Sequence, residues 1–359
     1  MMKKKIVVGM SGGVDSAVAA YILKRDGYDV TGVTLRTWES GEHSRCCEID
    51  DASYAARVIG IPFHVINCSS RFEKYVKLPF SDMYLKGLTP DPCIECNRYV
   101  KWDYLLYAAD IFGAEYVGTG HYAKILRLGN GRYTVGMSGC GKDQSYMLSA
   151  LTQAQLSRTV LPLSGMEKDE VRRTAKEAGI PVFDKPDSVD VCFAEGDYTG
   201  TVRERAEELG KDCTGPIKYA DGRTVGRHDG FYRYTVGQRK GTGAALGRPV
   251  YVTQIDAETK TVTVGEKDML YKTEIRCSRL SFMSIPEPVP GSCLYADVKI
   301  RYAHIPQRAR ITFDGEHADI RFDTPVRAPA PGQTAVFYDE NKCITGSGVI
   351  MRSGASVPF

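Results

Sequence analysis

The sequence predicts an α/β fold, in which a doubly wound parallel sheet precedes a small β-rich central domain and a C-terminal antiparallel β-barrel. Two observations support it. In the first hundred residues, short apolar runs alternate with helical stretches, as they do when crossover helices cover a parallel sheet. From Pro249 onward, short alternating strands are separated by turn residues, a pattern typical of small antiparallel domains and barrels. We therefore expect domains at 1–197, 198–275 and 276–359.

The elements of the first domain are expected in the order strand, helix, strand. Lys4–Met10 is a short apolar run, as in a parallel strand that is buried on both faces. A glycine-rich turn follows it, and Ala17–Arg25 is then helical. Further strands are expected at Asp29–Leu35, Phe63–Ile66 and Glu115–Thr119, and further helices at Asp50–Val58, Glu73–Leu85, Asn97–Phe112 and Lys168–Ala178.

A hairpin is expected over Leu126–Val135 around Gly129-Asn130-Gly131. The pattern changes beyond about Tyr198, where an aromatic and basic stretch leads into a glycine-rich one. The strands expected after it have the sequences VYVTQID, TVTVG, ADVKIRY, ARITFD, ADIRFD and TAVFYD.

Composition excludes several classes of protein. The chain has 359 residues, 43% of them hydrophobic and 25% charged, which is ordinary for a globular protein of two or three domains. The longest apolar run, Ala17–Leu23, is too short to span a membrane, and no signal-peptide core follows Lys3-Lys4-Lys5. We expect a cytoplasmic protein with no membrane partner. Its eleven cysteines are then thiols, metal ligands or catalysts rather than a disulfide framework.

A candidate phosphate site follows the first strand. Ser11–Ser16 reads SGGVDS and lies between a buried strand and a helix. Glycines let the backbone approach an anion, hydroxyls donate to it, and the helix N-terminus offers unpaired N–H groups. A plain tight turn is the alternative, but the strand before it and the helix after it favour phosphate binding.

A second glycine-rich segment only resembles a phosphate loop. Gly136–Lys142 reads GMSGCGK and fits the G-x-x-x-x-G-K pattern, but Asp143 replaces the hydroxyl that would hold magnesium. A carboxylate there would also repel phosphates. We interpret this segment as a chance match.

Eight motifs follow one another along the chain: SGGVDS (Ser11–Ser16), TPDPCIECN (Thr89–Asn97), GTGHYA (Gly118–Ala123), KDQSY (Lys142–Tyr146), DSVDVCF (Asp187–Phe193), GQRKG (Gly237–Gly241), KIRY (Lys299–Tyr302) and PGQTAVFY (Pro331–Tyr338). This ordered set covers nearly the whole chain and resembles one family, the tRNA-specific 2-thiouridylases, which belong to the N-type ATP pyrophosphatases. The net charge of +3 alone would not indicate a nucleic-acid partner.

The resemblance implies an ATP site. ATP would adenylate the C2 oxygen of a uridine, so that AMP becomes the leaving group. Asp15 is the expected Mg²⁺ ligand, because Mg²⁺ takes carboxylate and phosphate oxygens. The implied ATP-binding residues are Gly9, Met10, Ser11, Gly12, Gly13, Val14, Asp15, Ser16, Leu35 and Gly120.

The resemblance also implies two catalytic thiols. Cys192 would carry sulfur as a persulfide and attack the activated C2 atom. Cys96 would then release the sulfur to the base and form a Cys96–Cys192 disulfide. On the residues alone, Cys192 between Val191 and Phe193 would instead be a buried structural thiol.

Cys93 is a departure from the family, because many members have aspartate at this position. Cys93 and Cys96 form a C-x-x-C pair, which can chelate a metal or form a redox disulfide. With Cys192 they could hold a [4Fe-4S] cluster that binds sulfide at an open iron. The persulfide relay and the cluster therefore remain alternatives. Adjacent Cys46 and Cys47 are assigned no role.

The implied substrate is tRNA, with the wobble uridine (position 34) of the anticodon stem-loop unstacked into the site. A persulfide relay protein or a cysteine desulfurase would supply the sulfur. The implied tRNA contacts are Asp91, Pro92, Cys93, His121, Lys142, Asp143, Gln144, Arg301, Tyr302 and Gln333.

Two other functions fit these motifs less well. A ligase or amidating enzyme of the same ATP pyrophosphatase group would need neither the pair of cysteines nor an RNA-binding β domain. A tRNA-binding protein without catalysis would be expected to lack the phosphate loop or the thiols, yet Asp15, Cys96 and Cys192 are all present.

Overall fold

The computed structural model describes residues 3–37, 46–186, 191–193 and 197–352. The chain divides into two compact units. The first comprises Met1–Val76, Cys93–Val189 and Asn341–Thr345, and the second comprises Lys77–Pro92, Asp190–Glu340 and Gly346–Phe359. The predicted boundaries at 197/198 and 275/276 stay a prediction.

Helices account for much of the first half of the chain. A π-helical turn at Glu73–Lys77 joins α3 to α4, and another at Asn97–Lys101 joins α5 to α6. Short 3₁₀ turns lie at Ser145–Leu148, Phe231–Arg233 and Asp268–Leu270. The α-helices are α1 (Val14–Arg25), α2 (Cys46–Ile59), α3 (Ser69–Phe72), α4 (Leu78–Tyr84), α5 (Pro92–Cys96), α6 (Trp102–Phe112), α7 (Gln153–Ser157), α8 (Lys168–Glu177) and α9 (Thr199–Glu208).

The strands of the first unit are β1 (Lys5–Gly9), β2 (Asp29–Arg36), β3 (Phe63–Asn67), β4 (Tyr116–Gly118), β5 (Ala123–Arg127), β6 (Tyr133–Met137) and β7 (Thr159–Val160). Five of them form a parallel sheet in the order β3-β2-β1-β4-β7, and β5 and β6 form the expected hairpin. Ile6 and Val8 of β1 pack with α1, α2 and α8, whereas Gly9 faces Leu105 of α6. Helices therefore cover both faces of the sheet, as the sequence predicts.

The second unit contains a mixed sheet. Its strands are β8 (Gly215–Tyr219), β9 (Thr224–His228), β10 (Tyr251–Asp256) and β11 (Thr261–Gly265), in the order β10-β11-β8-β9. The β11–β8 pair is parallel and the other two pairs are antiparallel. The strands after Pro249 are expected to form antiparallel domains. β11 departs from this expectation, because it pairs in parallel with β8, which comes from a segment before Pro249.

The last six strands close into a barrel, as predicted. They are β12 (Tyr271–Phe282), β13 (Cys293–Lys299), β14 (Gln307–Phe313), β15 (Ala318–Arg327), β16 (Thr334–Tyr338) and β17 (Ile344–Ile350), in the order β12-β15-β14-β13-β16-β17. The expected strand over ADVKIRY ends at Lys299, so that Arg301 and Tyr302 lie in the following loop. None of the described helices is long and apolar enough to cross a membrane.

Candidate functional site

The phosphate loop lies where open α/β sheets bind ligands. On one side of β1 the sheet continues to β2 and β3, and on the other side to β4 and β7, so the strand order reverses between β1 and β4. Ligands bind beyond the carboxyl ends of the strands at such a switch point. Met10–Gly13 follows β1 and Thr119–Gly120 follows β4, and the sequence predicts that Met10–Gly13 and Gly120 bind ATP.

The loop backbone requires glycine at two positions. Gly12 has a φ of +73°, and a Cβ atom there would lie 2.4 Å from the carbonyl oxygen of Glu48. A Cβ atom on Gly120 would lie 2.6 Å from the carbonyl carbon of Asp15. The segment after β4 therefore packs directly on the phosphate loop, and neither position accepts a side chain without movement of the backbone.

Ser16 braces the loop from inside. Its hydroxyl donates to the carbonyl oxygen of Gly13 at 3.0 Å and accepts the backbone N–H of Ser11 at 3.0 Å. Met10 donates its N–H to the carbonyl oxygen of Val33 at 2.8 Å, and Thr34 donates its hydroxyl to the carbonyl oxygen of Met10 at 2.6 Å. These bonds place the end of β2, where Leu35 lies, beside the start of the loop.

Asp15 is surrounded by cationic and hydroxyl donors. Its Oδ1 accepts the hydroxyl of Tyr122 at 2.6 Å and lies 2.7 Å from Nζ of Lys168, while its Oδ2 lies 3.2 Å from Nζ of Lys142. About a fifth of each of the Asp15 and Lys168 side chains is exposed, and Tyr122 is fully buried. Two ammonium groups therefore lie next to a loop of the shape that binds phosphates.

A third lysine joins the loop to α2. Lys185 donates to the carbonyl oxygen of Gly12 at 3.3 Å and pairs with Asp51 of α2 at 2.7 Å. The sequence analysis missed Lys168, Lys185 and Tyr122 as parts of this site. Lys168 and Lys185 lie 153 and 173 residues from their loop partners, so no local pattern could have identified them.

Cys96 ends α5, and the π-helical turn begins at the next residue. Its side chain is partly buried and Cys93 is exposed. Burial raises the pKa of the Cys96 thiol to about 11, while Lys101 acts in the opposite direction. Cys96 is therefore a protonated thiol at neutral pH in this structure.

Cys192 lies in the short described stretch 191–193, and the residues of its motif at 187–190 are outside the described residues. Its neighbour Phe193 packs edge-on against Phe80, with ring centroids 5.0 Å apart. The same cluster includes the stacked rings of Tyr84 and Tyr198, whose centroids are 4.5 Å apart. This packing anchors the backbone next to Cys192.

Across the described parts of the chain, no three Cys, His, Asp or Glu side chains are grouped so that they could hold a metal. The side chains of Cys46 and Cys47 also lie outside the described residues.

The predicted tRNA contacts near β4 have structural partners. His121 shares a 2.8 Å hydrogen bond between its Nδ1 and the hydroxyl of Thr119, and desolvation lowers the pKa of His121 well below its usual range. Gln144 accepts the N–H of Tyr122 at 3.1 Å. Asp143 accepts the N–H of Ser138 at 2.9 Å, so its carboxylate closes the GMSGCGK segment from inside. That geometry agrees with our interpretation that the segment is not a phosphate loop.

Two further predicted contacts are brought together in the second unit. Asp91 Oδ2 accepts the N–H of Thr334, the neighbour of Gln333, at 2.6 Å. Thr89 donates its N–H to Pro331 at 2.8 Å, and Gly332 packs against the Thr89 backbone. The segment Thr89–Pro92 is thereby fixed to the turn that carries Gln333.

Arg301 and Tyr302 lie in the loop after β13. Arg301 donates to the carbonyl oxygen of Arg327 at 2.9 Å, and Nζ of Lys299 lies 5.7 Å from the centre of the Tyr302 ring. Tyr302 is 38% exposed. Desolvation, together with Arg301 and Lys299, lowers the pKa of nearby His304 to about 4. His304 is therefore neutral at physiological pH, and the positive charge of this loop comes from Arg301 and Lys299.

Three family models match successive parts of the chain. A tRNA methyl transferase HUP domain matches residues 4–196, a tRNA methyl transferase PRC-barrel domain matches 206–266, and an aminomethyltransferase beta-barrel domain matches 272–350. The first model alone covers more than half of the chain.

Curated relatives decide which family this is. The tRNA-specific 2-thiouridylase MnmA of Lachnoclostridium phytofermentans is 43% identical over 97% of this chain and 100% of its own length. The protein of the same name from Clostridium acetobutylicum is 41% identical, again over 97% of this chain and 100% of its own length. The chain belongs to the tRNA-specific 2-thiouridylase family. The resemblance noted from the motifs is thereby confirmed.

Solved structures add little to the family assignment. The U34-tRNA thiolase NcsA from Methanococcus maripaludis with its [4Fe-4S] cluster is 17% identical, covers 57% of this chain and 65% of its own, and gives a TM-score of 0.35. A likeness this low carries no argument about a cluster in this 2-thiouridylase.

Proposed function

We propose that this chain is an ATP-dependent tRNA 2-thiouridylase that replaces the C2 oxygen of the wobble uridine with sulfur. The main support is the phosphate loop, which Gly120 closes and which two lysines flank at Asp15. The three domains would be those of the sequence analysis, and the three family models end and begin near their boundaries. The reaction would take place in the cytoplasm.

The first chemical step is activation of the base. The uracil C2 oxygen attacks the α-phosphorus of ATP, pyrophosphate leaves, and the C2 oxygen becomes part of an AMP leaving group. Lys142, Lys168 and Lys185 are close enough to the loop to neutralise phosphate charge as it develops. Asp15 would hold Mg²⁺ once its ammonium partners turn to the phosphates.

Sulfur transfer follows. A donor protein that carries a persulfide, or a cysteine desulfurase, would load sulfur onto Cys192. The terminal persulfide sulfur attacks C2 and AMP leaves. The Cys96 thiolate then attacks Sγ of Cys192, which breaks the bond to the transferred sulfur. The products are 2-thiouridine and a Cys96–Cys192 disulfide, which an external thiol must reduce.

A [4Fe-4S] cluster on Cys93, Cys96 and Cys192 is the alternative sulfur carrier suggested by the C-x-x-C pair, but the described side chains include no group of three that could hold a metal. Anaerobic purification followed by iron and sulfide analysis separates the two schemes. Full activity with almost no iron would exclude the cluster.

The test of the function is a thiolation assay with unmodified tRNA, ATP, Mg²⁺ and a persulfide donor. We expect 2-thiouridine, detected by mass spectrometry of digested tRNA, from the wild type and none from Cys96→Ala or Cys192→Ala. Absence of 2-thiouridine with every competent donor would refute the proposal and favour a ligase.

The ATP site is tested separately by calorimetry. Lys168→Met should weaken ATP binding by about fivefold or more, since a charge-assisted contact contributes at least about 1 kcal/mol. Lys176→Met is the matched control, because Lys176 is an exposed lysine in the last turn of the same helix. Equal affinities for the two variants would contradict the assignment of Lys168.

A further inference from the structure

Two neighbouring helical segments each contain a π-helical turn with a tyrosine in its middle. Tyr75 is the third residue of Glu73–Lys77, and Tyr99 is the third residue of Asn97–Lys101. Their rings stack with centroids 5.4 Å apart and an angle of 19° between planes. Both side chains are partly exposed. None of the residues assigned above to ATP, sulfur or tRNA belongs to this pair.

Cationic side chains flank the two rings. The guanidinium of Arg71 lies 5.0 Å from the centre of the Tyr75 ring, and Nζ of Lys74 lies 5.3 Å from it. The guanidinium of Arg98 lies 5.1 Å from the centre of the Tyr99 ring. The segments 69–77 and 92–101 together carry five basic residues and two acidic ones, Glu73 and Glu95. The surface is therefore both aromatic and positively charged.

The π-helical turn around Tyr99 is braced by side chains. Arg71 donates from Nε to the carbonyl oxygen of Tyr99 at 2.6 Å, and Gln155 donates from Nε2 to the carbonyl oxygen of Arg98 at 2.8 Å. Asp103 accepts from both Arg71 and Gln155. This bracing fixes the backbone that carries Tyr99, so little conformational freedom is lost when the ring is used for binding.

Tyr99 also lies close to Cys96 along the backbone. Cys96 precedes Tyr99 by three residues in the same continuous helical segment, which corresponds to a rise of about 5 Å along the axis. Cys96 must reach the sulfur that has bonded to the uridine, so a uridine that reacts beside Cys96 brings its neighbouring nucleotides within reach of this surface. Every base has a π-face that stacks on an aromatic ring, and lysine and arginine pair with the phosphates between bases.

We propose that Tyr75 and Tyr99, with Lys74 and Arg98, form a binding site for the unstacked nucleotides that flank the reacting uridine in tRNA. The inference rests on the proposed function, because it takes the uridine to react beside Cys96. Single-stranded RNA fits better than an acidic protein, since stacked rings between cations match alternating bases and phosphates.

The test measures binding of the full-length protein to an unmodified tRNA transcript that has a wobble uridine. Tyr99→Leu keeps an apolar side chain but removes the π-face, and it should weaken tRNA binding by about fivefold or more. Tyr99→Phe keeps the ring and should bind within about twofold of the wild type. Tyr107→Leu is the matched control, because Tyr107 is 57% exposed on the adjoining α6 and pairs edge-on with Tyr104 at 6.4 Å.

A second measurement addresses the charges. The double variant Lys74→Gln/Arg98→Gln should lower the slope of log Kd against log salt by about 1.4, because each cation that no longer neutralises a phosphate of a single strand lowers it by about 0.7. If Tyr99→Leu no longer binds ATP and has therefore lost its fold, the salt dependence of this double variant tests the site instead.

The outcomes separate this inference from the proposed function. If the wild type makes 2-thiouridine while Tyr99→Leu and the double variant bind tRNA normally, the site is refuted and the function stands. If tRNA binding is normal but sulfur delivery from a donor protein fails, the surface binds the donor and the inference is wrong. If the wild type makes no 2-thiouridine but the variants still bind tRNA more weakly, the RNA site stands and the function fails.

Discussion

The Cys96 thiol should react slowly with iodoacetamide at neutral pH, because only the thiolate is alkylated. With a pKa of about 11, the thiolate is about one ten-thousandth of the Cys96 population at pH 7. An ordinary cysteine with a pKa near 8.5 is about 3% thiolate at that pH, roughly 300 times more. The higher intrinsic nucleophilicity of a more basic thiolate recovers about tenfold of this difference. We therefore expect alkylation of Cys96 to be about 30-fold slower than that of an ordinary thiol.

The pH dependence gives the sharper measurement. Below its pKa, the alkylation rate of Cys96 should rise about tenfold for each pH unit, without a plateau between pH 7 and 9.5. Peptide mass spectrometry reads this rate, and the exposed Cys293 serves as an accessible reference thiol. Lys101→Met should slow alkylation further, because Lys101 is the group that lowers this pKa. Lys176→Met is the control.

A rate that levels off near pH 8 would refute this reasoning. It would mean that Cys96 is already activated in the absence of tRNA and ATP. An unchanged rate in Lys101→Met would show that Lys101 does not lower this pKa. Either result would change the order of events in the proposed reaction, because a thiol with a pKa of about 11 must lose its proton after the substrates bind.

Three further variants test the packing of the first unit. Gly120→Ala places a Cβ atom 2.6 Å from the Asp15 backbone and should weaken ATP binding at least about tenfold in calorimetry, whereas Gly129→Ala, with nothing within 4 Å, should bind normally. Burial raises the pKa of the Cys68 thiol to about 11. As pH rises above about 9, the unfolded chain therefore loses this proton before the folded protein does, and the folded state is destabilised. Cys68→Ala removes this effect and should show a shallower fall in Tm between about pH 9 and 10.5. The buried Trp102 Nε1–H donates to the hydroxyl of Thr159 at 2.7 Å, and Thr159→Val removes this acceptor. Thermal denaturation should show a free energy of unfolding lower by about 1–3 kcal/mol. Thr159→Ser keeps the hydroxyl and should show no such loss.

The sequence predicts the parallel sheet well because each of its signals is local. β1 is a continuous apolar run, the glycine-rich turn follows at once, and α1 begins within that turn. β12 is the longest strand of the barrel but was not predicted. Its residues YKTEIRCSRLSF include six polar or charged side chains in its first nine positions, and its buried residues do not alternate. Its pairing with β15 and β17, rather than its own sequence pattern, makes it a strand.

The candidate site likewise has parts with a local sequence signal and parts that only distant segments bring together. The phosphate loop and Gly120 belong to contiguous motifs, so the family resemblance leads directly to them. The lysines that flank Asp15 come from segments that are distant in sequence, and Lys168 meets it only because α8 packs on α1. The charge and spacing of Lys168 match those of an ordinary solvated helix face, so only the folded structure distinguishes Lys168 from Lys176.

Two groups on which the proposed reaction depends are held in unreactive states before substrate binds. The Asp15 carboxylate is neutralised by Lys142 and Lys168, and the Cys96 thiol stays protonated because burial disfavours the thiolate. Phosphates act differently on the two groups. A triphosphate attracts the two ammonium groups away from Asp15, which leaves its oxygens available to a metal ion. Nearby negative charge disfavours a thiolate, so Cys96 must lose its proton in a separate step after the substrates bind. Neither group would therefore be reactive in the free protein.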